Sequence, residues 1–132
     1  MTREEMRRYG NLCREIAKEC ERLRELEESV DGIGAVRAGE TGGHGGVSDL
    51  VGNRAAKIGD LYEILSKKIN VAMEERLKIE TYIATLEDPY IRMIITARYV
   101  EQKTWEGVAA YVGGGNTSDG VRKALDRWFV ER

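Results

Sequence analysis

The sequence predicts an all-α protein: a long helical hairpin or coiled-coil arm followed by a C-terminal three-helix domain. Three observations carry this. Apolar residues recur in steps of three and four along two long stretches, the spacing that lines one face of a helix. Pro89 is the single proline in 132 residues, so little interrupts a backbone hydrogen-bond ladder. The last third breaks into short apolar-faced stretches separated by Gln102-Lys103 and by a run of glycines.

Residues 1–31 form the first element. Met6, Tyr9, Cys13, Ile16, Cys20, Leu23, Leu26 and Val30 make one stripe, with Arg and Glu filling the gaps. Residues 32–48 follow, so dense in glycine that a flexible loop is expected. A phosphate-binding loop is not expected there, because no apolar strand precedes it and the Gly-Lys-Ser/Thr ending is missing. Residues 49–87 carry a heptad line, Ile58, Tyr62, Leu65, Ile69, Ala72, Arg76, Ile79, Ile83 and Leu86, interrupted by one charge. Such a line needs a partner, and either the first helix folded back or the same helix of another subunit supplies it. Arg76 is expected to snorkel, to pair with a glutamate or to set the register.

Residues 88–132 form the C-terminal domain. Asp88 caps a third helix with Pro89 in its first turn, where a missing N–H costs nothing. That helix runs to about Val100 or Glu101 and buries Ile91, Ile94, Ile95 and Tyr99 or Val100. Thr104 caps a fourth helix faced by Trp105, Val108, Ala109 and Val112, and Gly113–Gly115 close it. Asn116, Thr117 or Ser118 caps a fifth, with Val121, Ala124, Leu125, Trp128 and Phe129 inward. Trp105 and Trp128 are expected to pack on each other.

A short helix, a tight glycine turn and a second helix make a helix-turn-helix, whose second helix meets base edges in the major groove of double-stranded DNA. The expected contacts are Asn116, Thr117, Ser118, Arg122, Lys123 and Arg127. Arg122 is the first choice for a base, since its fork matches the two acceptors of guanine, whereas Lys123 and Arg127 suit phosphate.

Charge bears on this reading. The chain carries a net −2, which counts against a sequence-indifferent nucleic-acid binder. From Pro89 onward seven bases stand against five acids, so the acid lies upstream. Enzymatic activity is not expected: the one histidine, His44, sits among glycines and no nucleophile is paired with a base. Cys13 and Cys20 share a helix face about 10 Å apart, too far to bridge, and read as small core residues. No Cys/His cluster has metal spacing, so no metal or cofactor is expected. No apolar run is long enough to span a bilayer and the N-terminus lacks a signal core, so a cytoplasmic protein with no membrane contact is expected.

The stretch from Thr85 to Phe129 resembles the C-terminal region of small phage-encoded transcriptional regulators of the RinA and ArpU type, themselves similar to region 4 of sigma-70-family factors. The resemblance rests on Asp88-Pro89, on Arg98-Tyr99, on Thr104-Trp105-Glu106 and on Val121 to Ala124. Val47 to Leu61 also looks like the entry to the long helix of those proteins, so about two-thirds of the chain is covered. The resemblance implies a sequence-specific DNA-binding role in transcription within a bacterial host cell, without enzymatic activity. The chain departs from the pattern in its GGGN turn and in Gly120, inside the recognition helix.

Three functions therefore compete. A transcriptional regulator binds promoter DNA and touches RNA polymerase through its arm. A DNA-recognition subunit of a packaging machine, like a small terminase, forms a ring-like homo-oligomer through that arm. A helical interaction module binds a protein and ignores DNA.

Overall fold

The structure is a computed structural model that describes the backbone of residues 1–38 and 45–132 and the side chains of residues 1–29 and 52–132. The protein is all-α, and no strand occurs among the described residues. Its helices are α1 (Arg3–Ala38), α2 (Gly45–Thr85), α3 (Pro89–Ile95), α4 (Trp105–Val112) and α5 (Ser118–Val130), with one π-helical turn, Thr96–Val100, directly after α3.

The predicted loop over 32–48 is narrower than expected. α1 continues through Gly32 and Gly34 to Ala38, and α2 begins at Gly45. A glycine costs roughly 1 kcal/mol in a helix interior, but a nucleated helix gains one backbone bond with each added residue and runs through isolated glycines. The rest of that loop, His44 included, lies outside the described residues.

The chain divides into two compact units, one of Met1–Cys13 with Ala72–Arg132, the other of Arg14–Val71. In the 14–71 unit, α1 and α2 pair antiparallel within the chain. Lys68 binds Glu15 at 2.7 Å and also Glu19, Tyr62 donates to Glu27, and Arg54 donates to the Ser29 hydroxyl at 2.6 Å. Descending α2 thus matches ascending α1. The carboxylates of Glu15 and Glu19 hold the Lys68 ammonium above its ordinary pKa. Leu23 and Leu65 are buried between the helices, whereas Tyr62 and Ile69, heptad positions on paper, are exposed. Cys13 is half-buried and Cys20 exposed, so Cys20 is not the core residue its spacing suggested. One partner helix covers a narrow strip, and the flanks of each stripe stay in water.

In the other unit, α1 starts on a capping box. The Glu5 N–H donates to the Thr2 hydroxyl at 3.2 Å and the Thr2 N–H to the Glu5 carboxylate at 2.7 Å, which holds the Glu5 pKa below the usual range. Arg3 then reaches α5 and the π turn. Its guanidinium lies 2.7 Å from Asp126, donates to the Tyr99 hydroxyl at 2.8 Å and covers the Phe129 ring at 5.0 Å. Burial opposes that charge, but the bonds to Tyr99 and Asp126 outweigh it and raise the pKa. Arg76 pairs with Glu80 at 3.4 Å, one of the roles expected of it.

α3, α4 and α5 each pack against the other two. Asp88 accepts the Tyr90 N–H at 2.9 Å, with Pro89 in the first turn. Arg92 donates to the Leu86 carbonyl at 2.7 Å, satisfying an acceptor just beyond the end of α2. In the π turn the Glu101 N–H reaches the Thr96 carbonyl, five residues back, at 2.9 Å. Across α3 and this turn Ile91, Ile94, Ile95, Ala97, Tyr99 and Val100 are all buried.

α4 ends at Gly113, where φ is 72° and ψ −157°, a region open to glycine alone. Gly114 and Gly115 keep positive φ, 66° and 78°. An added Cβ at Gly113 meets nothing within 4 Å, so the constraint is backbone strain and not space. Gly113→Ala should destabilise this unit by about 1–3 kcal/mol in chemical denaturation, an outcome that relief by repacking cannot soften.

Candidate nucleic-acid interface

α4 and α5 open in the same way. Thr104-Trp105-Glu106-Gly107-Val108 and Thr117-Ser118-Asp119-Gly120-Val121 share a capping threonine, an acid in the first turn, a glycine and a buried valine. The Thr104 hydroxyl accepts from the Gly107 N–H at 3.1 Å and the Thr117 hydroxyl from the Gly120 N–H at 3.0 Å. Gly120, a departure from good helix chemistry on paper, has a local reason: a Cβ there would lie 3.0 Å from the Thr117 hydroxyl. Gly120→Ala should therefore give less than the roughly 1 kcal/mol usual for this change, because the methyl crowds the capping hydroxyl. In a Thr117→Gly background, where no hydroxyl is in the way, the same change should restore the full gain, read as a difference between unfolding midpoints.

The six residues expected to contact DNA separate into three roles. Asn116 belongs to the turn. Its amide donates to the Gly113 carbonyl at 2.6 Å while its carbonyl accepts from the Tyr90 hydroxyl at 3.1 Å. Thr117 spends its hydroxyl on the cap. Both shape the turn, with Thr117 exposed and Asn116 half-buried. Ser118 and Arg122 line a cleft of about 380 Å³ between the starts of α4 and α5, together with Thr104, Trp105, Glu106 and Asp119. Arg122 pairs across one turn with Asp119 at 3.2 Å. Lys123 and Arg127, one turn apart on α5, are exposed and have no ion-pair partner among the described residues.

The electrostatics favour one side of α5. Glu106 and Asp119 suit the positive ends of their helices, but two carboxylates in the cleft would repel a phosphate entering it. The outward side, with Lys123 and Arg127, is the basic one. Several other C-terminal bases are structural. Arg92 binds the Leu86 carbonyl just beyond α2, Arg98 donates to the Lys103 carbonyl at 2.9 Å and lies 4.5 Å over Trp105, and Arg132 lies 4.4 Å over Trp128.

The expected Trp105–Trp128 contact is replaced. Trp128 meets Phe129 edge-on at 5.0 Å, and Trp105 lies beneath Arg98. Trp105 thus packs on a residue of the π turn, a partner set by tertiary packing. Sequence reasoning also missed Arg3, whose contacts secure the C-terminal half of α5; the Thr2-x-x-Glu5 capping pattern was a readable signal that a helix starts beside it. Asp126 is engaged by Arg3 and so is held away from the α5 N-terminal half.

Among the described residues no helix is long and apolar enough to cross a membrane. No protein-family model, curated protein or solved structure matches the chain.

Proposed function

We propose that the chain is a sequence-specific double-stranded DNA-binding regulator of transcription, with α3, α4 and α5 acting as a helix-turn-helix and α5 as its recognition helix. The observation that carries this reading is the exposed, unpaired pair Lys123 and Arg127 on the outward side of α5, beside solvent-exposed Arg122. A helix entering the major groove needs its N-terminal half open and its basic side chains uncommitted. Lys123 and Arg127 serve as phosphate contacts, Arg122 as the base reader once released from Asp119, and Ser118 as a short-range donor at the helix start. Asn116 and Thr117 act by shaping the turn. The resemblance to phage regulators of the RinA and ArpU type supports transcription in a bacterial cytoplasm, with RNA polymerase as a further partner.

The test is a titration of the purified chain against duplex DNA from around its own gene and against an unrelated duplex, at two salt concentrations. Tighter, salt-sensitive binding to the first, lost in an Arg122→Ala/Lys123→Ala variant of unchanged helicity, supports the reading. Indifference to DNA at low salt overturns it and leaves these helices a structural role.

A further inference from the structure

The paired helices of the 14–71 unit bury Leu23 and Leu65 between them and leave an apolar face open. On that face a groove runs between α1 and α2, lined by Leu23, Leu26, Leu61 and Leu65 together with Glu19, Arg22 and Glu25. Along α2 the line Lys57, Leu61, Ile64, Lys68 and Val71 follows steps of four and three, and Ile64 and Val71 are each 48% exposed. Lys68 reaches from this line to Glu15 and Glu19, which identifies the matching line on α1 as Glu15, Glu19, Arg22 and Leu26. The two helices differ in charge. Residues 14–29 hold six acids and four bases, whereas residues 52–71 hold four bases and two acids.

We propose that this face binds a second copy of the chain, the two helix pairs packing about a twofold axis with α1 of each copy against α2 of the other. A two-helix layer buries one line of side chains and needs a facing layer to bury the next, which a four-helix bundle supplies. The twofold arrangement sets acid-rich α1 over basic α2 twice, in addition to the attraction that already joins Lys68 to Glu15 and Glu19 within each copy. Placing α1 on α1 would set acids against acids. A uniformly acidic partner would be repelled by α1 and a uniformly basic one by α2. The partner that fits carries both lines in reversed order, and this chain carries them. Leu61 and Ile64 of one copy then enter the groove floored by Leu23 and Leu26 of the other.

The experiment is sedimentation of the full chain at tens of micromolar without DNA, so its outcome is independent of the DNA-binding reading. The wild type should sediment with the mass of two chains. Ile64→Glu should sediment as one chain with unchanged helical dichroism, since the site is half-exposed in a single copy. Ile64→Ala, which no helix opposes, should weaken association by about tenfold or more. Val130→Glu, a charge placed at an exposed residue of the other unit, should leave the dimer intact. A monomeric wild type, a ring of more than two copies, or a dimer broken by Val130→Glu and not by Ile64→Glu would overturn the proposal.

Discussion

Leu125→Ala is expected to destabilise the C-terminal unit by about 2–5 kcal/mol, the range for deleting a large aliphatic group from a site that cannot collapse around the void. Leu125 is 0% exposed, as are Ile94, Val108 and Val121, so no mobile surface side chain stands ready to fill the space. The change leaves helix propensity intact, since alanine favours a helix at least as well as leucine. Its effect is therefore tertiary. Trp105 and Trp128, the two tryptophans of the chain, both belong to this unit, so fluorescence during denaturation reports it and not the 14–71 unit. The midpoint should fall with an unchanged denaturant slope. Val130→Ala, at a site 84% exposed, should stay within about 0.5 kcal/mol of wild type. Equal effects at the two positions would show that the burial of Leu125 contributes nothing particular.

Lys123→Ala/Arg127→Ala is expected to weaken DNA binding about tenfold or more at low salt and to reduce the slope of log affinity against log salt by about 2. Each phosphate contact displaces close to one condensed counterion, so two lost contacts remove roughly two units of salt dependence. Both side chains are exposed, and fold stability should hardly change. Asp119→Asn should act in the opposite direction. It removes a carboxylate from the start of α5 and frees Arg122 from a 3.2 Å pair, so affinity should rise while part of the favourable helix-end charge is lost. Asn116→Ala offers a contrast: loss of the bonds to Gly113 and Tyr90 should lower stability before it alters any base preference. Weakened affinity from Asn116→Ala alone, with stability and salt slope unchanged, would return that residue to the binding surface and count against the division of roles.

The legible parts of this protein were local ones. Asp88 with Pro89, and Thr104, announce helix starts because a capping oxygen needs just the next few backbone N–H groups, and both caps occur; of Asn116, Thr117 and Ser118, the structure selects Thr117. Ile91, Ile94, Ile95, Val108, Val121, Leu125 and Trp128 could be named as core because helical period alone selects one face. The limits of periodicity show in α2, where Ile79 and Ile83 are buried but Tyr62 and Ile69, in the same line, are exposed. How much of a stripe is covered depends on the width of whatever packs on it, which no spacing records. The candidate site divides likewise: Lys123 and Arg127 were readable as outward bases, whereas the engagement of Asn116 with Tyr90 joins residues far apart in the chain.

The sequence by itself determined the all-α class, the caps of α3 and α4 and the central inward residues of the C-terminal helices, since each follows from interactions within a few residues. Tertiary structure decided that Arg3 secures α5, that Trp105 lies under Arg98 and that Asn116 and Thr117 belong to the turn. It also decided that α1 and α2 pair within one chain in the 14–71 unit. A side chain with several chemically adequate partners takes the one that packing brings within reach, and that choice is made in three dimensions.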